Sequence, residues 1–273
     1  MARLPDKTGA TSERFGYGWT AGGLPQPVTA PVPYHLHVMQ RALGSPPLSG
    51  LVLDAGAGEG VDLASVGLTP GCRAVGVELS DGGIRATAAR IATVPRARLV
   101  QGNILSMPFR SNVFDHAYSY GVVHHTIDPA AATREIVRAI KPGGQLLIYV
   151  YEDFEQRGWH WKLALAAVNA IRRPISAMSP SGIRRVCALI APLVFVTCTL
   201  PSRHFSWAAR FPYPATQNKT MRSLIPDLYD RFAAPIEERY SEKGARALVE
   251  QAGCIVKGVA YVRGWAVWGE KGR

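Results

Sequence analysis

Three glycines at alternate positions, Gly56, Gly58 and Gly60, follow the apolar run Leu51-Val52-Leu53, with only Asp54 and Ala55 between. An apolar run that ends in a glycine cluster predicts a buried strand that stops abruptly and turns. Glycine takes up the left-handed backbone such a turn needs, and it lets the main chain approach a ligand with no Cβ in the way. A helix opening there presents its unpaired N–H groups to the same ligand. A dinucleotide-binding fingerprint would read G-x-G-x-x-G. Here the third glycine stands at 60 and position 61 is Val, so the spacing is D-x-G-x-G-x-G.

The rest of the chain supplies the setting for that turn. Residues 74–77, 98–100, 115–120 and 145–150 read as further buried strands, and helical patterns fall at residues 82–92 and 129–140, the second ending at Lys141-Pro142-Gly143-Gly144. Strand and helix alternating at this spacing predict an α/β fold with a doubly wound parallel sheet. The alternation stops after Tyr151 and resumes with a helix at residues 241–251, then two strands, 255–262 and 265–269, joined at Arg263-Gly264 as an antiparallel hairpin. Between lie residues 152–240, with helical patterns at residues 159–172 and 181–200. A stretch of that length is not expected as structureless coil inside a compact domain, so it predicts a helical cap inserted into the fold. Residues 1–48 hold seven of the 20 prolines and predict an irregular arm with one short helix at residues 34–42. The layout is therefore an arm (1–48), a core (49–151), a cap (152–240) and a closing helix and hairpin (241–273).

Charge separates these parts. The chain carries 31 Lys and Arg against 20 Asp and Glu, a net +11, yet residues 157–222 hold ten basic and no acidic residues. The remainder is close to neutral, unlike a protein that binds nucleic acid over its whole surface. The 47% hydrophobic content excludes a disordered chain. Cys72, Cys187, Cys198 and Cys254 form no C-x-x-C pair and no metal-ligand spacing, so free thiols and no metal are expected. The first residues lack the apolar stretch of a signal peptide. The longest apolar run, residues 186–200, is 15 residues and interrupted by Pro192, shorter than the roughly 20 residues a bilayer needs.

Over residues 50–151 the chain resembles the class I S-adenosylmethionine (SAM)-dependent methyltransferases, the small-molecule and quinone-biosynthesis-like subgroup in particular. The resemblance rests on the glycine loop, Glu78 at the end of the second strand, Gln101-Gly102-Asn103-Ile104 with Met107-Pro108-Phe109, Val113-Phe114-Asp115, Val122-Val123-His124-His125, and Lys141-Pro142-Gly143-Gly144. It implies a Rossmann-like sheet of seven strands with the last antiparallel, SAM as cofactor and S-adenosylhomocysteine as product. It also implies cofactor contacts from Asp54, Gly56, Gly58, Gly60, Glu78, Leu79, Asn103, Ile104 and Tyr120. In that family the residue matching Glu78 takes the ribose hydroxyls, a task suited to a two-oxygen acceptor. The position of Asn103 is usually Asp and accepts from the adenine amino group; an asparagine oxygen can still accept one bond.

Methyl transfer from a sulfonium needs alignment and, for some acceptors, a base. His124 and His125 follow the fourth strand, at the sheet edge where open α/β folds bind ligands, and a neutral imidazole is a base suited to pH 7. Glu152, just past the fifth strand, is a rival. Trp159, Trp161 and Trp207 with the arginine pairs Arg172-Arg173 and Arg184-Arg185 would suit an acceptor apolar over most of its length and anionic at one end, such as a prenyl diphosphate or a lipid. They would equally suit peripheral docking on an anionic membrane. Tyr17, Trp19, Tyr151, Arg184, Arg185, Tyr229 and Tyr240 are the substrate candidates, with Phe15 beside them.

The expectation is a cytoplasmic or membrane-peripheral enzyme acting on a small-molecule acceptor, with no nucleic acid. An RNA methyltransferase using the basic segment and a non-catalytic SAM-binding subunit are the alternatives. Against adenine-N6 chemistry, the place of the Asp/Asn-Pro-Pro-aromatic motif reads Ser119-Tyr120-Gly121-Val122; against cytosine-C5 chemistry, no cysteine nucleophile lies between Cys72 and Cys187.

Overall fold

The computed structural model describes residues 7–272 apart from Pro33 and residues 206, 207 and 209–219, and it leaves the side chains of His160, Ala164 and Arg222 undescribed. Its elements run α1 (Lys7–Thr20), α2 (His35–Leu43), β1 (Gly50–Ala55), α3 (Val61–Leu68), β2 (Cys72–Glu78), α4 (Asp81–Arg90), β3 (Ala97–Gln101) and β4 (Phe114–Tyr120). They continue with α5 (Pro129–Ala139), β5 (Ile140–Val150), α6 (Trp159–Ser176), α7 (Pro180–Val194), α8 (Met221–Ala233), α9 (Glu242–Glu250), β6 (Cys254–Tyr261) and β7 (Trp265–Lys271).

Seven strands pair in the order β3-β2-β1-β4-β5-β7-β6. The first five strands run parallel, and β7 is antiparallel to both β5 and β6. The order reverses between β1 and β4, which places a crevice at the carboxyl ends of those strands. Alternate residues of each strand supply two cores, one per face. On one face Leu53, Ala117, Leu146 and Ile148 pack with Ile136 of α5 and Leu248 of α9. On the other Val52, Ala74, Tyr118 and Leu147 pack with Met39 of α2 and Leu63 of α3. Near-continuous apolar strands such as Leu51-Val52-Leu53 follow from this double covering. Ser80, Asp128 and Ser241 cap α4, α5 and α9 by accepting the N–H three residues on.

The arm departs from the sequence expectation. Residues 7–20 form a helix, although three glycines in that span lower its propensity. Tertiary packing explains it: Gly16 rests on Ser80 and Gly82 at the start of α4, so close that a Cβ on Gly82 would collide with the Gly16 carbonyl. The helix α8 also had no expectation attached to it.

The chain forms two compact units, residues 1–163 with 236–273, and Ala164–Pro235. In the second, α7 buries Ile183, Cys187 and Ala191, four apart on one face, and packs against α8, which buries Leu224 and Leu228. Beyond α7 the helix continues through a π turn at Phe195–Thr199 and a 3-10 turn at Pro201–Arg203. The helix Pro180–Arg203 is 24 residues long and contains an 18-residue window with a mean hydropathy of 1.8, so by length and composition it could cross a membrane. That corrects the reading of the 15-residue run as too short, because the run is part of a longer helix that includes its small and polar neighbours.

Candidate active site

The end of β1 bends through three glycines with positive φ, Gly56 at 96°, Gly58 at 54° and Gly60 at 80°. Side chains are crowded out here: a Cβ at Gly56 would strike Val122, and one at Gly58 would sit 3.2 Å from Cζ2 of Trp19. The loop is pinned to β2, with the Gly56 and Ala57 N–H groups donating to the Val77 carbonyl at 3.0 and 2.9 Å. Thr87 Oγ1 of α4 donates to the Gly58 carbonyl at 2.7 Å, and Arg90 pairs with Glu59 at 2.7 Å.

Glu78, buried at the end of β2, ties this loop to the start of α4. Its Oε2 accepts the Gly58 N–H at 3.0 Å, and its Oε1 accepts the Ser80 N–H and hydroxyl at 2.9 and 2.7 Å. A carboxylate has about four acceptor positions, so these three bonds leave capacity for one more donor. Asp54 is fully enclosed, and burial, reinforced by the charge of Asp62, pushes its carboxyl well above the usual carboxylate range. Asn103 closes a turn, its Oδ1 accepting the Leu105 N–H at 2.9 Å, while Ile104 is buried in the core. Leu79 is half-buried and its carbonyl accepts from Gln101 Nε2 at 3.4 Å. Tyr120 stands in an aromatic stack between His35 and Tyr149, at ring separations of 4.0 and 4.2 Å. His35 in turn contacts Asp62 at 3.3 Å, which holds the start of α2 to α3.

The two histidines sit in a 3-10 turn after β4 and have different surroundings. His125 Nδ1 lies 2.6 Å from the Ile236 carbonyl, and its ring is 5.2 Å from Phe15 of α1. His124 is fully buried, its ring 4.2 Å from both His125 and Tyr151, and neither ring nitrogen has a hydrogen-bond partner among the described residues. Burial, then His125 and Arg239, hold its pKa well below the ordinary imidazole value.

Past β5, Glu152 is buried and clamped. Arg157 reaches it at 2.6 Å, the Tyr261 hydroxyl donates to Oε1 at 2.6 Å, and the Glu152 carbonyl accepts from Arg239 at 2.9 Å. Arg157 also lies 5.0 and 5.3 Å from the Phe154 and Trp161 rings. Arg239 lies 5.5 Å from the Tyr151 ring and pairs with buried Glu237 at 2.7 Å. Tyr240 bridges backbone to Tyr151 and accepts at its carbonyl from Trp265.

Trp19, Phe15, His124, His125, Tyr151 and Glu78 thus belong to the sheet unit at or beside the β1–β4 crevice, and Tyr17 lies half-buried on α1. Arg184, Arg185 and buried Tyr229 belong to the second unit, and Trp207 lies outside the described residues. Sequence reasoning missed Ser80, Thr87 and Arg239. Ser80 had a signal, a serine just before a helical pattern. Arg239 had none, since the groups it ties to the site, the Glu152 carbonyl and the Tyr151 ring, lie more than 80 residues away.

Residues 53–148 match the family described as methyltransferase domain. The chain is 41% identical over 98 residues to demethylmenaquinone methyltransferase of Corynebacterium kroppenstedtii, covering 36% of this chain and 40% of that one. It is 33% identical over 112 residues to an Arabidopsis thaliana tRNA (carboxymethyluridine(34)-5-O)-methyltransferase, covering 40% of this chain and 26% of that one. The chain therefore spans under half the length of these curated relatives. Among solved structures, a SAM-dependent methyltransferase from Methanosarcina mazei is similar with a TM-score of 0.51 at 16% identity, over 86% of this chain and 97% of that one, a likeness of fold.

Proposed function

We propose that this chain, whose residues 53–148 form a class I SAM-dependent methyltransferase domain, transfers a methyl group from SAM to a small, largely apolar acceptor. The observation that carries the reading is the glycine loop at the sheet's reversal point, docked by the Gly58 N–H onto the buried Glu78 carboxylate.

These residues suit the cofactor. Three left-handed glycines let the main chain of the loop turn tightly at the crevice, and Glu78 keeps acceptor capacity for one ribose hydroxyl. Bound SAM supplies an electrophilic methyl on sulfur. The chain's own residues hold the partners in line and exclude water, which Trp19 and Phe15 of α1 do by lying over Gly58 and His125. Where the acceptor must lose a proton, we assign the base to His125. Donation from Nδ1 to the Ile236 carbonyl fixes Nε2 as the lone-pair nitrogen. Glu152 is left to structure, because Arg157 and Tyr261 occupy its carboxylate. The expected result of His125→Gln is a fall in kcat of about a hundredfold with cofactor affinity retained; unchanged turnover would remove His125 from the chemistry.

The apolar acceptor is supported by the aromatic rings of Phe15 and Tyr151 beside His125, and by the relative named for demethylmenaquinone. The relative named for tRNA favours the other reading, an RNA acceptor met by the basic segment. Incubation with methyl-labelled SAM, a lipid extract and total tRNA decides between them. Label in the solvent-extractable fraction is expected. Label in the RNA fraction, or in neither, would overturn the acceptor class.

A further inference from the structure

The helix Pro180–Arg203 presents two unlike faces. Ile183, Cys187 and Ala191 are buried, and roughly opposite them Leu189, Leu193, Val196 and Leu200 recur at helical spacing, with Leu189 80% and Leu193 65% exposed. A row of exposed aliphatics at that spacing marks an interaction surface. Arg185, one turn before Leu189, and Arg203, at the far end, are both exposed and stand on the same side as this row. Helix α6 adds exposed Val168 and Ile171, and Arg173 after them is exposed too.

We propose that the unit Ala164–Pro235 docks on an anionic lipid bilayer, with the Pro180–Arg203 helix lying in the interface and its aliphatic row entering the acyl boundary. Charge selects this occupant: residues 164–235 hold nine basic residues and only two acidic ones, Asp227 and Asp230, which complements anionic headgroups. A second copy of the chain would set Arg185 and Arg203 against like charge. Nucleic acid would find aliphatic side chains that neither stack on bases nor bond to them. A spanning arrangement is disfavoured, although the length allows it, because the buried face is already packed on α8, which carries Asp227, Asp230 and Arg231. The inference is independent of the methyl-transfer reading, since it concerns a different surface and is read by binding alone.

The test is flotation of the full chain with vesicles of phosphatidylcholine and phosphatidylglycerol, against phosphatidylcholine alone. Flotation with the anionic vesicles is expected, weakened at least about tenfold on neutral vesicles and by Arg185→Glu with Arg203→Glu. Leu189→Ser, Leu193→Ser and Val196→Ser together should weaken it about a hundredfold, with the thermal melt retained because these side chains are already exposed. Equal binding by wild type and the triple variant would overturn the proposal. So would loss of the exposed row into a dimer in solution, preferential binding to RNA, or retention of the protein in vesicles after alkaline carbonate extraction.

Discussion

His124 and His125 are adjacent in sequence, yet their chemistry differs because, among the described residues, only His125 has a hydrogen-bond partner for a ring nitrogen. His124 is enclosed by His125, Tyr151 and nearby Arg239, and burial keeps it neutral. An unfolded histidine titrates near ~6.5. The folded value lies below that, so the unfolded chain binds the extra proton first as pH falls, and stability drops from about pH 6.5 downward toward the folded value. Asp54 acts with the opposite sign, because its raised pKa favours proton uptake by the folded state above the ordinary carboxylate value. Comparison of wild type with His124→Leu cancels the Asp54 contribution. Between pH 7 and pH 5 the wild type should lose more stability in urea unfolding than the variant; parallel curves would place no titrating histidine there. The pair itself was legible as two imidazoles after a strand at the ligand edge. Their division was not, since the Ile236 carbonyl that fixes His125 lies 111 residues away.

At the scale of elements, the strands were the most readable parts. Their apolar runs are buried on both faces, and glycines such as Gly56 after β1 and Gly71 before β2 mark their ends with positive φ. Helix α1 was unreadable because its support is a close approach of Gly16 to Gly82 rather than its own propensity. That gives a substitution with opposed local and tertiary effects. Gly82→Ala improves helix propensity in α4 by about 0.8–1 kcal/mol, while its Cβ pushes α1 off. The tertiary effect should win locally: tryptic cleavage at Arg14 should speed up at least about fivefold, a ratio worth about 1 kcal/mol. Unchanged or slower cleavage would mean that α1 is held by something other than this contact.

For the molecule as a whole, the order of motifs along the chain already implied a seven-stranded sheet with a reversed last strand, because each motif belongs at one strand tip. The limits of the second unit were harder to see. Residues 152–163 and 236–240 pack with the sheet through the Glu152–Arg157–Tyr261 clamp and the Glu152–Tyr240 bridge. These contacts join residues about a hundred apart, and the apolar and basic texture of the segment runs across them without a break. The charge asymmetry is a feature of chain order: the ten basic residues of 157–222 all follow residues 53–148, which carry the glycine loop and Glu78.

The cofactor reading is tested most directly by calorimetric titration of the full chain with S-adenosylhomocysteine, alongside Gly58→Arg. One-site binding is expected for the wild type. The variant should bind at least about a hundredfold more weakly, because φ at position 58 is 54° and the new side chain would meet Trp19. Absence of binding by the folded wild type, or equal affinity in the variant, would contradict it.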